Sequence, residues 1–272
     1  MSAVTGSGAR PPAGRRWPAE MAPGVYVLEY HLVNYRRTWR SSALSTLLMP
    51  LLTMLGFGVG VGSFVTAGVD GVSYLDWIVP GLIASTAVQA AIGEATWPVL
   101  SYFEWLKVYF AQAAAPLRVV DILGGHLGFM LFRIVLSATA FLAVGAAFGA
   151  LHSWWSPLAV VVSALVGLAV ATPTAAYSAT ITSDSYLALL LRFAVLPMSL
   201  FSGVFFPVDS LPVVLRWLAY ALPLSHGVDL CRDATLGRPP GWPGLWHVVY
   251  LLAWCVGGCC LAHLRFRRRL VI

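Results

Sequence analysis

The sequence predicts an all-α integral membrane protein. The expected layout is six transmembrane helices, an N-terminal interfacial helix, a helix in a cytoplasmic loop and an outer re-entrant helical hairpin before the last span. Three observations point there. Apolar residues make up 59% of the 272 and charged residues only 10%, against roughly 45–50% and about 25% in soluble domains. The mean hydropathy is +0.79. Six apolar runs, each near the ~20 residues that cross a bilayer, follow one another along the chain. A soluble 29.2 kDa protein could not cover its surface with so few charges, and 25 glycines with 17 prolines suit membrane helices better than soluble ones.

The elements follow in order. Residues 1–24, rich in Gly, Pro and Arg, are predicted to be a disordered basic cytoplasmic segment. They lack the apolar core of a signal peptide, so no cleavage is expected. From Val25 to Arg40 apolar residues recur at Val25, Leu28, Leu32, Tyr35 and Trp39, one face of a helix, with Arg36, Arg37 and Arg40 largely elsewhere. Such a helix belongs in the interface plane. The remainder of a single transmembrane domain, 25–272, holds spans at about 43–65, 77–97, 123–149, 157–181, 186–206 and 245–264. The first carries a glycine ladder, Gly56, Gly58, Gly60 and Gly62, which favours a close helix contact and suggests a dimer seam. Pro50, Pro80, Pro173 and Pro197 lie within spans, where neighbouring helices can re-satisfy freed carbonyls.

Orientation follows from the basic residues. With the N-terminus inside, thirteen of the 17 lysines and arginines fall on the cytoplasmic side. Only Arg216, Arg232 and Arg238 fall outside, and Arg133 lies within a span. The bias predicts that both termini are cytoplasmic. It also accounts for the net charge of +6 without nucleic acid, because the arginines cluster where head groups lie, before the first span and after the last.

Two connections exceed simple turns. The cytoplasmic one, about 98–122, contains SYFEWLKVYFAQ and predicts one amphipathic helix ending before Pro116. The outer one, about 207–244, predicts two short helices. Asp209 or Ser210 would cap the first, with Pro212 in its opening turn, and Pro223 would end it. Ser225 would cap the second, ended by Gly237. The first half of this connection is too apolar for a free loop and too short to span twice, so it is expected to dip back into the outer leaflet.

Glu94 and Arg133 are the two charges within spans. Snorkelling or a mutual pair is the ordinary reading, and a counter-charge for an anionic substrate at Arg133 is the sharper one. His226, Asp229, Arg232 and Asp233 share the second outer helix, where intrahelical pairing is favoured over catalysis. One short helix cannot surround a substrate as a catalytic triad does, even with Ser225 adjacent. Phe193, Phe201, Phe205 and Phe206 suit packing or an aromatic belt better than a stacking path. Cys255, Cys259 and Cys260 lie in the last span and Cys231 in the outer loop. They form neither a disulfide framework nor a metal set, and no metal is expected. With Lys107 as the single lysine, no Walker A loop is possible.

From Val25 onward the chain resembles the ABC-2 family of ATP-binding-cassette exporter permeases, in its lipo-oligosaccharide (nodulation-factor) and daunorubicin-type branches. The most specific stretch is FSGVFFPVDSLPVVLRWLAYALPLSHGVDLCRDATLG, residues 201–237. There Ser202, Gly203, Phe205, Phe206, Pro207, Leu211, Pro212, Pro223, Leu224, Asp229 and Arg232 stand at the family's marked positions. Gly93–Glu94 and AAAPLRVVDILGG form a second match, with Ala115 where the family usually has Thr. The resemblance implies a bacterial inner-membrane permease that exports a bulky amphipathic compound, either a glycolipid (a lipo-oligosaccharide) or a hydrophobic drug. It implies two copies of an ATP-binding-cassette subunit, which bind ATP and Mg, and a second permease copy as a homo- or heterodimer. This chain itself would bind no cofactor and catalyse nothing. The loop helix at about 99–114 becomes the coupling helix, with Phe103, Glu104, Lys107, Tyr109 and Gln112 facing the ATPase. The outer gate is carried by Phe205, Phe206, Pro207, Pro212, Pro223, His226, Asp229 and Arg232. The rival from another class is an integral membrane enzyme acting on lipids, which should place a Ser–His or His–Asp set at one depth in adjacent spans. The spans hold no such set.

Overall fold

The computed structural model describes residues 23–65, 68–69, 71–238 and 242–271, and most of them are helical. Of the segment expected to be disordered, 1–22 lies outside the described residues. Pro23 and Gly24 already open the first helix, α1 (Pro23–Thr53).

The predicted interfacial helix is not separate from the first span. Nothing between Arg36 and Met49 breaks the winding, so one continuous helix runs through both. Its early turns lie along α5 (Val119–Ala147), with Val27 and His31 buried. Beyond Thr53 the glycine-rich stretch Met54–Gly60 widens into a π-helix and then tightens to a 3-10 turn at Val61–Ser63. The glycine ladder divides between two faces. A side chain on Gly58 would strike Leu75, and one on Gly62 would meet Tyr74, whereas Gly56 is open.

Ser73 starts α2 (Tyr74–Ala95) by accepting a hydrogen bond from the Asp76 amide at 3.2 Å, and Asp76 itself suits the positive helix end. Trp77, Ile78, Val79, Ile83, Ala84 and Val88 are wholly buried, which makes α2 the helix the others pack around. After a kink at Thr96 the chain continues as α3 (Trp97–Glu104), turns, forms α4 (Val108–Ala113), and re-enters as α5. α6 (Leu158–Ser178) crosses back. The fifth apolar segment is α7 (Ser185–Leu190), a π-helical turn (Leu191–Val195) and α8 (Leu196–Phe201). A helical hairpin follows, α9 (Val213–Ala221) and α10 (Pro223–Leu236), and α11 (Trp242–Leu270) is last.

Among the described residues, four of the six expected spans are helices long and apolar enough to cross a membrane: Tyr74–Glu104, Val119–Ala147, Leu158–Ser178 and Gly244–Leu270. The first and fifth correspond to shorter apolar helices, Leu48–Ser63 and Ser185–Phe201. The fifth stops at Phe201 because Gly203 takes a left-handed φ of 77° and Pro207 follows. Small residues set the helix spacing. A side chain at Gly167 would strike Ile134, one at Gly227 would strike Val166, and one at Gly258 would strike Thr172.

Candidate functional site

Two ends of the bundle carry the predicted site residues. At one end the chain between α2 and α5 forms an elbow. The predicted single loop helix is two short ones, because Lys107 adopts a left-handed φ of 53° and reverses the chain after Glu104. The Leu106 amide closes the turn on Ser101 O at 2.8 Å. Trp105 and Leu106 at the tip are 60% and 63% exposed, while Phe103 and Tyr109 behind them are fully buried. Their rings pack on Phe266 of α11 at centroid distances of 4.9 and 5.1 Å. The Tyr109 hydroxyl and His126 Nδ1 of α5 share a hydrogen bond, and burial pushes the Tyr109 phenol well above its ordinary pKa. His126 in turn stacks on His31 of α1, centroids 4.5 Å apart.

The Glu104 carboxylate is held within the chain. Arg269 of α11 donates to it, and Lys107 lies 3.8 Å away. The same guanidinium donates to Ala179 O at 2.9 Å and Ile181 O at 3.1 Å, just past the end of α6, and covers the Phe103 ring at 4.5 Å. The Gln112 amide oxygen is buried, with no hydrogen-bond partner among the described residues. Of the five residues expected to face an ATPase, only Lys107 is exposed. Phe103 and Tyr109 are core residues, because the reversal at Lys107 turns both helices inward against α11.

Between the two ends, Arg133 Nε donates to Glu94 Oε1 at 3.0 Å, and its guanidinium lies 4.9 Å from the Tyr35 ring. The two charges expected within spans are therefore bonded to each other, while Arg133 Nη1 is buried with no hydrogen-bond partner among the described residues. Mutual neutralisation lowers the cost of placing both in an apolar bundle.

At the far end Arg232 gathers three elements. It donates to Gly203 O at 3.0 Å, approaches Asp229 at 3.7 Å along its own helix, and lies 4.1 Å from the Trp77 ring of α2. The Ser-Gly turn after α8 is thereby fixed against α2, where a side chain on Gly81 would press on the Val204 backbone. Phe205 packs on Phe57 of the first apolar segment at 5.1 Å, and Phe206 and Pro207 are half-buried beside it. The expected caps differ. Asp209 and Ser210 form a 3-10 turn, the Ser210 hydroxyl bonds back to Pro207 O at 2.7 Å, and Pro212 precedes α9 without a side-chain cap. Pro223 opens α10 rather than Ser225, whose hydroxyl donates to Ala219 O at 2.7 Å. His226 holds Tyr220 O at 2.9 Å and contacts His247 of α11. Burial raises the Asp229 carboxyl to about 6, against the opposing charge of Arg232.

Cys231 lies in α10, not in a polar loop, and is fully buried against Ser163 and the Ala159 carbonyl. All four cysteines are free, and no His, Cys, Asp and Glu group among the described residues could hold a metal. His31, His126, Arg269 and Trp77 were not singled out from sequence. The arginine is one of a basic cluster and the others are aromatic residues in apolar runs, so only their partners distinguish them.

Several long apolar helices packed into one bundle define a multi-pass membrane protein. Residues 25–236 match the model of the ABC-2 type transporter family, and the chain belongs to that family. Its relatives include Nodulation protein J of Rhizobium leguminosarum bv. viciae, 31% identical over 91% of this chain and 99% of that one. Nodulation protein J of R. leguminosarum bv. trifolii is 34% identical over 74% of this chain and 78% of its own. That of Sinorhizobium fredii is 30% identical over 93% and 96%.

Proposed function

We propose that the chain is the membrane half of an ATP-driven exporter of a bulky amphipathic compound, a glycolipid such as a lipo-oligosaccharide or a hydrophobic drug. The observation that carries this is the elbow, whose two large apolar side chains, Trp105 and Leu106, project at a tip that its own core cannot cover. Exposed apolar residues on a rigid tip mark a protein contact. Two copies of an ATP-binding-cassette subunit take that contact and bind ATP and Mg. A second permease copy completes the transporter, and the open Gly56 side of the first apolar segment supplies the seam. In this reading the elbow end faces the bacterial cytoplasm and the hairpin the outside. Nucleotide-driven closure pushes the elbow, and Arg269 and Tyr109 pass the push to α11 and α5. The docking residues become Trp105, Leu106 and Lys107, with Phe103, Glu104 and Tyr109 as the brace.

Trp105→Asp and Leu106→Asp test the reading, since both positions are exposed and should fold normally. Each should abolish co-purification of the cassette subunit while leaving membrane insertion intact. Undiminished co-purification with both variants refutes the docking role.

A further inference from the structure

A cavity lies at the hairpin end, remote from the elbow and on the α6–α11 side of α10. It measures about 900 Å³, toward the upper end of the roughly 300–1,000 Å³ of small-molecule sites. Its walls are the apolar faces of α6 (Val161, Leu165) and α11 (Val248), and its floor is Leu230 and Ala234 of α10. Val161 is 63% exposed and Leu230 and Ala234 are buried, so this is a groove between two long apolar helices, open on the α6 side and closed at the back by α10.

Two opposite charges, Asp233 and Arg238, line the same groove where α10 ends. The left-handed Gly237 turns the chain there, and the Arg238 amide bonds to Asp233 O at 2.9 Å. That backbone contact holds the residues together, close enough for the Arg238 charge to act on the Asp233 carboxyl, yet their side chains form no direct ion pair or hydrogen bond with each other. Burial raises the Asp233 carboxyl, and the charges of Arg238, His247 and Arg232 only oppose that rise. A half-buried anion and an exposed cation therefore stand unbonded beside an apolar slot.

We infer that this groove is a binding site for a zwitterionic glycerophospholipid with a primary ammonium group. One acyl chain lies between α6 and α11, the phosphate meets Arg238 and the ammonium meets Asp233. The charge pattern selects this ligand. An anionic head group would place a second negative charge against Asp233, and a quaternary ammonium would offer that carboxylate no N–H donor. The site is independent of the transported compound and of the ATPase partner, because it needs only the bilayer.

The test uses the full chain in nanodiscs containing phosphatidylethanolamine, phosphatidylglycerol or phosphatidylcholine, with a diazirine on one acyl chain. Labelling should fall on peptides around Val161 and Val248, and phosphatidylethanolamine should label about tenfold more than either other lipid. Asp233→Asn should remove most of that preference. Arg238→Gln should weaken labelling by all three lipids. Val161→Trp combined with Val248→Trp, both at positions that are not fully buried, should cut labelling about tenfold while leaving the melting temperature within a few degrees. Equal labelling by the three lipids, unchanged labelling in the double Trp variant, or cross-links elsewhere on the chain overturns the site. So does protection of the groove by the transported amphiphile with no phospholipid labelling.

Discussion

Replacing Arg269 with alanine removes the guanidinium that joins the elbow to two spans. Three acceptors lose their donor: the Glu104 carboxylate, Ala179 O and Ile181 O. The stacking on Phe103 goes as well. A hydrogen bond to a charged group is worth about 1.5–3 kcal/mol, and breaking a buried ion pair costs about 3–5 kcal/mol. The Arg269 and Glu104 side chains are 19% and 21% exposed. Glu104 also keeps Lys107 at 3.8 Å, so the lower end applies and the contributions do not add in full. The net loss is about 3 kcal/mol, or roughly a hundredfold in the equilibrium between a seated and an unseated elbow. Amide hydrogen exchange over residues 101–113 reads that equilibrium directly, because those amides exchange through local opening. Protection there should fall about a hundredfold in Arg269→Ala, while protection in the buried middle of α2 should not change. Arg269→Lys keeps the charge but not the fork, and should recover about half of the loss in free energy. If Arg269→Ala left elbow protection within about twofold of the parent, the clamp would contribute nothing, and its place in the coupling route would be wrong.

Three further outcomes check other parts of the structure. Glu94→Gln or Arg133→Gln alone should each lower stability by about 3 kcal/mol in detergent melts, and the double variant should be less destabilised than either, since a neutral pair leaves no uncompensated charge. Transport of anionic and neutral substrates should fall equally in Arg133→Gln if the pair is structural, and a selective loss for anions would assign Arg133 to substrate binding. Cys231 should resist membrane-impermeant maleimide from both sides until the protein is unfolded, because it is fully buried. Ready labelling of native protein would contradict the packing of α10 on α6. The Asp229 carboxyl, raised by burial to about 6 from 3.8, binds its proton more tightly in the folded state. Its contribution to stability is therefore greatest below about pH 4 and is lost as pH rises through 6. Asp229→Asn should flatten that part of the melting profile, but modestly, since 38% of the side chain is exposed. A profile that keeps its slope in the variant would assign the dependence elsewhere.

Much of the architecture is legible along the chain, for a local reason. Hydropathy over twenty residues reports the solvent a helix will meet, so the second, third, fourth and sixth spans lie where their apolar runs lie. The break after Phe201 is equally local, since Gly203 and Pro207 carry it in their own backbone preferences. The helix end at Gly237 follows from the same chemistry. The continuity of α1 is not legible, because charge suggests a boundary at Arg40 whereas arginines do not stop a helix.

Side-chain direction at the elbow is another matter. Phe103, Tyr109, Trp105 and Leu106 are alike in composition, and any of them could be the exposed pair. The choice rests on a reversal at Lys107 and on Phe266, a residue far along the chain that fills the space behind them. The partner of Glu104 is likewise chosen by packing, from several arginines in one cluster.

By itself the sequence determined that this is a multi-pass membrane permease of helices, roughly where they run, and which backbone positions turn. Those properties depend on neighbours a few residues away, through hydrogen bonding within the helix and transfer of apolar surface out of water. Tertiary structure alone decided which charges pair, which elbow residues face outward and where a lipid-sized groove opens. Each of these depends on groups brought together from distant parts of the chain, and no local pattern records them.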